Sequence, residues 1–180
     1  MPNESKDMSF VDHLEDLRWT LFRSIVSIAI FAIIAFMNRV FVFETIIFGP
    51  TRADFFTYKF LCEIGDKIGF NFICIDTINY SVVNLELAGQ FMTHVTTSIA
   101  IGFIFAFPYL IFEIWKFVKP GLHEVEVKAS RSVLLFSAIL FFIGVLFGYF
   151  VLIPFAINFL STYNVSSTIL NTFSLSNYIG

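Results

Sequence analysis

"SVLLFSAILFFIGVLFGYFVLIP", residues 132–154, contains no Asp, Glu, Lys, Arg or His, and none follows before residue 180. A bilayer core takes about 20 mostly apolar helical residues, so this stretch reads as a membrane span. Two earlier runs share the pattern: residues 24–38 carry no charge, and in residues 87–112 only His94 could carry one near neutral pH. The first run is short, but Arg23 and Arg39 at its ends have stems long enough to reach opposite interfaces. Composition agrees, with 57% hydrophobic, 19% aromatic and only 14% charged residues in a chain of 180. The mean hydropathy is +0.82. The expected class is an all-α polytopic membrane protein with tilted helices.

The segments follow from the breakers and charges. Residues 1–8 are a tail. Residues 9–43 begin as an amphipathic helix, with Ser9 as N-cap and Phe10, Leu14, Leu17 and Leu21 at helical spacing, and run without interruption into transmembrane helix 1. Residues 44–86 form a first extracytoplasmic loop, entered through an amphipathic piece that ends at Gly49-Pro50. Residues 87–117 are transmembrane helix 2, bent at Pro108. Residues 118–131 are a hairpin broken at Pro120-Gly121, residues 132–154 are transmembrane helix 3 closed by Pro154, and residues 155–180 are a second outer loop with the start of a fourth helix.

Lys116, Lys119, Lys128 and Arg131 crowd around the hairpin, whereas the connector after Pro154 has no basic residue. The positive-inside rule therefore places the hairpin and the N-terminus in the cytoplasm. The acidic N-terminus, and the lack of a small-residue cleavage site after the first apolar run, argue against a cleaved signal peptide. A net charge of −3 without a basic face excludes a nucleic-acid partner. Cys62 and Cys74 fall in the outer loop, where an oxidising compartment permits a disulfide worth roughly 3 kcal/mol; two buried thiols are the alternative. His13, His94 and His123 lie in different regions, so no metal site is expected. No Gly-x-x-x-x-Gly-Lys-Ser/Thr loop and no nucleophile with a base is legible, so neither nucleotide use nor an enzyme is expected.

Two acidic pairs face the cytoplasm in this topology: Glu15 with Asp16, and Glu124 with Glu126. Carboxylates of this kind suit a guanidinium, which binds them bidentately; a merely solvated face is the bland alternative. His94 lies on a polar stripe with Gln90 and Thr97, suited to a hydrogen bond with a neighbouring helix, or to a proton relay. Gly144 and Gly148 have the spacing that lets another helix approach.

"HLEDLRWTL" at 13–21, Pro50, the Pro108 helix, "FEIWKFVKPGLHEVE" at 112–126 and "FFIGVLFGYFVLIPFAINFL" at 141–160 together resemble the TatC family, the multispanning core of the twin-arginine protein translocase. The resemblance implies six spans with both termini inside a bacterial cytoplasmic (inner) membrane. It also implies binding of twin-arginine signal peptides of folded preproteins, recruitment of single-span TatA- and TatB-type subunits, self-association, and transport driven by the proton-motive force without a cofactor. Carried over by position, the family's two signal-contacting acids fall on Asp16 and Glu126, with Arg18 as the motif's cation and Trp115 and Phe117 near the signal-binding surface. The family usually carries Glu where Asp16 stands; Asp is a methylene shorter, which makes Glu15 a second candidate. Three spans and the start of a fourth are legible, so the sequence is read as a fragment. A fragment of a solute transporter or channel is the competing reading, and intramembrane charge pairs or an inverted repeat would favour it; none is legible in the sequence.

Overall fold

The computed structural model describes residues 10–52, 54–68, 81–121, 124–163 and 172–179. Three helical stretches are long and apolar enough to cross a membrane: His13–Met37, Gly89–Gly121 and Ser132–Thr162. The first belongs to α1 (Phe10–Met37), whose 28 residues extend roughly 42 Å at about 1.5 Å each. That exceeds a hydrocarbon core of about 30 Å, so the charged first turns extend beyond it. A π-helical turn, Phe41–Ile47, and a 3-10 turn, Gly49–Thr51, lead to α2 (Phe56–Ile68). A three-residue strand, β1 (Ser81–Val83), precedes α3 (Gly89–Val118), which carries Pro108 inside it. After the exposed 3-10 turn Lys119–Gly121, which holds Pro120 and Gly121, comes α4 (Glu124–Phe147). A π turn, Gly148–Leu152, joins it to α5 (Ile153–Thr162); β2 (Thr172–Ser174) and α6 (Leu175–Ile179) follow.

The architecture is all-α apart from one short parallel pairing of β1 with β2, in which Ser81, Val82 and Val83 face Thr172, Phe173 and Ser174. Alternation over three residues is too brief to read as a strand in the sequence. Phe136 at 68% and Leu140 at 70% exposure turn apolar surface outward, as suits hydrocarbon and not water.

Contacts divide the chain into two units, and each long apolar helix contributes to both. The first comprises Met1–Ile34 and Ile99–Ile139. Here α1 and α3 run antiparallel, because Ala32 lies against Gly102, Phe31 stacks on Phe105 at 6.3 Å, and Arg23 meets Glu113. The approach is set by the missing side chain at Gly102, where a Cβ would fall 2.7 Å from the Ala32 nitrogen. By contrast, a Cβ at Gly144 or Gly148 would meet nothing within 4 Å, so no helix among the described residues packs closely on that pair. The sequence did carry a signal for the Gly102 contact: Ser98, Gly102 and Ala106 recur four apart as small residues, and all three are buried.

The second unit comprises Ala35–Ser98 and Leu140–Gly180. Its core is a set of backbone carbonyls capped by hydroxyls. The chain stays helical past Pro154, where the sequence placed the end of the third span. Pro154 has no N–H to offer the Phe150 carbonyl, and the Thr57 hydroxyl donates to that oxygen at 2.6 Å instead. Tyr58, 2% exposed, donates to the Pro50 carbonyl at 2.9 Å and reaches that of Pro154 at 3.3 Å. Pro50 and Pro154 are themselves fully buried. At the end of the first π turn, the carbonyls of Ile46, Ile47 and Phe48 accept from the hydroxyls of Tyr149, Tyr178 and Thr51. Helix ends leave such acceptors open, and in a membrane a partner has to come from the protein. Phe55, stacked on Phe150 at 5.7 Å, completes the cluster. Cys62, on α2, is disulfide-bonded; Cys74 lies outside the described residues.

Candidate functional site

The N-terminal turns of α1 present Glu15, Asp16 and Arg18 as exposed side chains. Their helix is anchored there by His13, whose imidazole stacks on the Phe117 ring of α3 with centroids 4.3 Å apart. At 3.6 residues per turn each residue advances about 100°. Asp16, three on from His13, therefore lies roughly 60° from it around the axis, whereas Glu15 lies roughly 160° away. Asp16 thus shares the α3-facing side of α1, and Glu15 sits on the opposite side. Arg18 makes no ion pair among the described residues, with Glu15 or any other acid. Just past α3, the Lys119 ammonium sits 5.3 Å from the centroid of the Trp115 ring. Glu126 belongs to the first turn of α4 by its backbone, and its side chain is outside the described ones, as is that of Glu124.

Below this surface the structure holds a charged pair that was not expected. Arg23 Nη1 stands 3.7 Å from Glu113 Oε2, with the Glu113 side chain 5% and the Arg23 side chain 48% exposed. The Tyr109 hydroxyl donates to Glu113 Oε1 at 2.9 Å, and Oε2 accepts no hydrogen bond among the described residues. Both residues fall inside membrane-capable stretches, His13–Met37 and Gly89–Gly121. Arg23 follows Asp16 by seven residues, which puts the two within roughly 20° on one helix stripe. An Arg just before one apolar run and a Glu just after another were the available signal. Periodicity gives depth along each helix but not which faces meet.

His94, expected to bond a neighbouring helix, is instead held by rings: Phe36 stacks on it at 4.0 Å and Phe43 meets it edge-on at 5.6 Å. Its Nε2 is buried without a hydrogen-bond partner among the described residues, as is Thr97 Oγ1. Within those residues no group of three His, Cys, Asp or Glu is placed to hold a metal.

Residues 12–180 match the family described as "Sec-independent protein translocase protein (TatC)". The chain belongs to the TatC family. It is 40% identical over 184 residues to the TatC protein of Blattabacterium sp. subsp. Periplaneta americana (strain BPLAN), an alignment that covers 99% of this chain and 68% of the relative. The TatC protein of Deinococcus radiodurans is 28% identical over 179 residues, with 99% of this chain and 59% of the relative covered. A solved structure titled "Crystal Structure of Twin Arginine Translocase Receptor- TatC" superimposes with a TM-score of 0.67 at 28% identity, over 93% of this chain and 64% of that one. The chain therefore spans about three fifths to two thirds of the length of these TatC relatives. TatC membership, with three apolar helices, makes this a multi-pass membrane protein of a protein-translocation system. The Arg23–Glu113 pair, a feature that would have favoured a solute transporter, thus joins two membrane-capable helices within a TatC fold.

Proposed function

We propose that this chain forms the signal-recognising part of a twin-arginine translocase, with Asp16 and Glu126 as carboxylates for the signal's two guanidinium groups. The observation that carries the reading is the His13–Phe117 stack, which supports Asp16, and not Glu15, as the acid beside the α3–α4 hairpin. Glu126 belongs to that hairpin by sequence position. Phe117 and Trp115 supply apolar surface for the signal's hydrophobic stretch, and Arg18 orients the first turn. Pro50, Pro120 and Gly121 shape the connections, and a Cys62–Cys74 bond braces the first outer loop.

The protein works in the bacterial inner membrane with its N-terminus in the cytoplasm, in agreement with the basic residues flanking the hairpin. Its partners are folded preproteins bearing twin-arginine signals, TatA- and TatB-type single-span subunits, and further copies of itself. Transport is powered by the proton-motive force; the protein scaffolds translocation and catalyses no bond change. Arginine is favoured over lysine because a planar fork satisfies a carboxylate through two parallel hydrogen bonds, whereas an ammonium acts as a point charge.

Competition binding on the purified protein with a labelled twin-arginine peptide tests the assignment. Asp16→Asn and Glu126→Gln are each expected to weaken binding about tenfold or more, with a smaller effect at Glu15→Gln. Damage confined to Glu15→Gln would reverse the assignment of Asp16.

A further inference from the structure

Within the second unit lies a cavity of about 620 Å³ whose walls include Arg39, Phe43, Glu44, Phe48, Phe91 and His94. It lies beside the ends of two membrane-capable stretches, of which the first ends at Met37 and the second starts at Gly89. The π turn shapes part of its wall. Bonding from residue i to i+5, as in the Phe48 N–H to Phe43 carbonyl contact of 2.8 Å, brings the Phe43 and Phe48 rings to 6.4 Å. Arg39, just ahead of the π turn, and Glu44, within it, line the same cavity. A cation, an anion and two rings are therefore among its walls.

Neither Arg39 nor Glu44 makes an ion pair among the described residues, and both are exposed. An opposite-sign pair that shares a cavity yet stays apart suits a ligand carrying both charges. Phe91 on α3, 61% exposed, continues the apolar wall outward. His94, clamped between Phe36 and Phe43, gives the cavity a rigid side.

We propose that this cavity is a headgroup site for a single phospholipid with a primary amine. Its phosphate meets Arg39, its ammonium donates to Glu44, and its glycerol and first acyl carbons lie over Phe43, Phe48 and Phe91. The charge pattern selects among lipids. An anionic headgroup without an amine leaves Glu44 facing negative charge, and a choline headgroup has no N–H to give the carboxylate. Pockets between membrane helices that supply a cation for lipid phosphate are a recognised mode of lipid binding, and Glu44 adds the discrimination.

Native mass spectrometry of the delipidated full chain, incubated with equal amounts of dioleoyl phosphatidylethanolamine, phosphatidylcholine and phosphatidylglycerol, tests the site. The ethanolamine lipid is expected to be retained about threefold or more over either of the others. Glu44→Gln should abolish its advantage over phosphatidylglycerol, and Arg39→Gln should lower retention of all three. Both side chains are exposed, and an unchanged thermal unfolding midpoint will show that the variants fold. Equal retention of the three lipids by the unmodified chain would overturn the proposal, as would an unchanged preference in Glu44→Gln.

Discussion

Arg23 on α1 and Glu113 on α3 form an ion pair of 3.7 Å in which the carboxylate is almost fully enclosed and the guanidinium is half open to its surroundings. The asymmetry decides what each residue contributes. Loss of the arginine strands a buried carboxylate whose one remaining donor among the described residues is Tyr109. Loss of the carboxylate frees a cation that reaches the interface along its own stem.

Arg23→Gln is therefore expected to destabilise the protein by about 3 kcal/mol, the lower end of what removing one partner of a buried ion pair costs, because the enclosed carboxylate loses its counter-charge. Glu113→Gln should cost less than about 1 kcal/mol, because the amide keeps the Tyr109 bond and the open arginine loses little. Unfolding in detergent micelles, followed by circular dichroism, gives the order of the two variants, and the reverse order would contradict this account.

Gly102→Ala should separate α1 from α3. The new Cβ would lie 2.7 Å from the Ala32 nitrogen and 2.9 Å from its Cα, which are backbone atoms with no rotamer to escape into. A loss of about 1–3 kcal/mol is expected, as for overpacked cores. Ala32→Gly should rescue it only partly, since the backbone conflict persists. Gly144→Ala, with nothing within 4 Å, serves as the neutral comparison in the same unfolding measurement.

Thr57→Val removes the donor that covers the Phe150 carbonyl opposite Pro154. With a partly buried acceptor left open, about 1 kcal/mol should be lost, and Thr57→Ser should restore most of it. Equal stability of the Val and Ser variants would show that the hydroxyl is not what accommodates the proline.

What the sequence made legible follows from these cases. The uncharged runs and the basic hairpin announced three membrane-capable helices, because bilayer thickness constrains length and charge in one dimension. Partners across space were not announced. Arg23 and Glu113 each look like an isolated charge near a span's end, and only the rotation of two helices about their axes brings them together. Pro154 resembled a stop because the Thr57 hydroxyl that covers the Phe150 carbonyl lies 93 residues from Phe150 in the chain. The β1–β2 pairing joins segments similarly remote, each too short to show alternation. For the signal site, the motif "HLEDLR" offered Glu15 and Asp16 as near equals. The His13–Phe117 contact gives them different surroundings, and that distinction needs tertiary structure.

The most direct test of the central claim is the ratio of affinities of the unmodified protein for a twin-arginine signal peptide and for the same peptide with both arginines replaced by lysine, measured by fluorescence anisotropy. Bidentate carboxylate recognition predicts that the arginine peptide binds about tenfold tighter or more, a difference of at least about 1.4 kcal/mol. Equal affinities for the two peptides would contradict it.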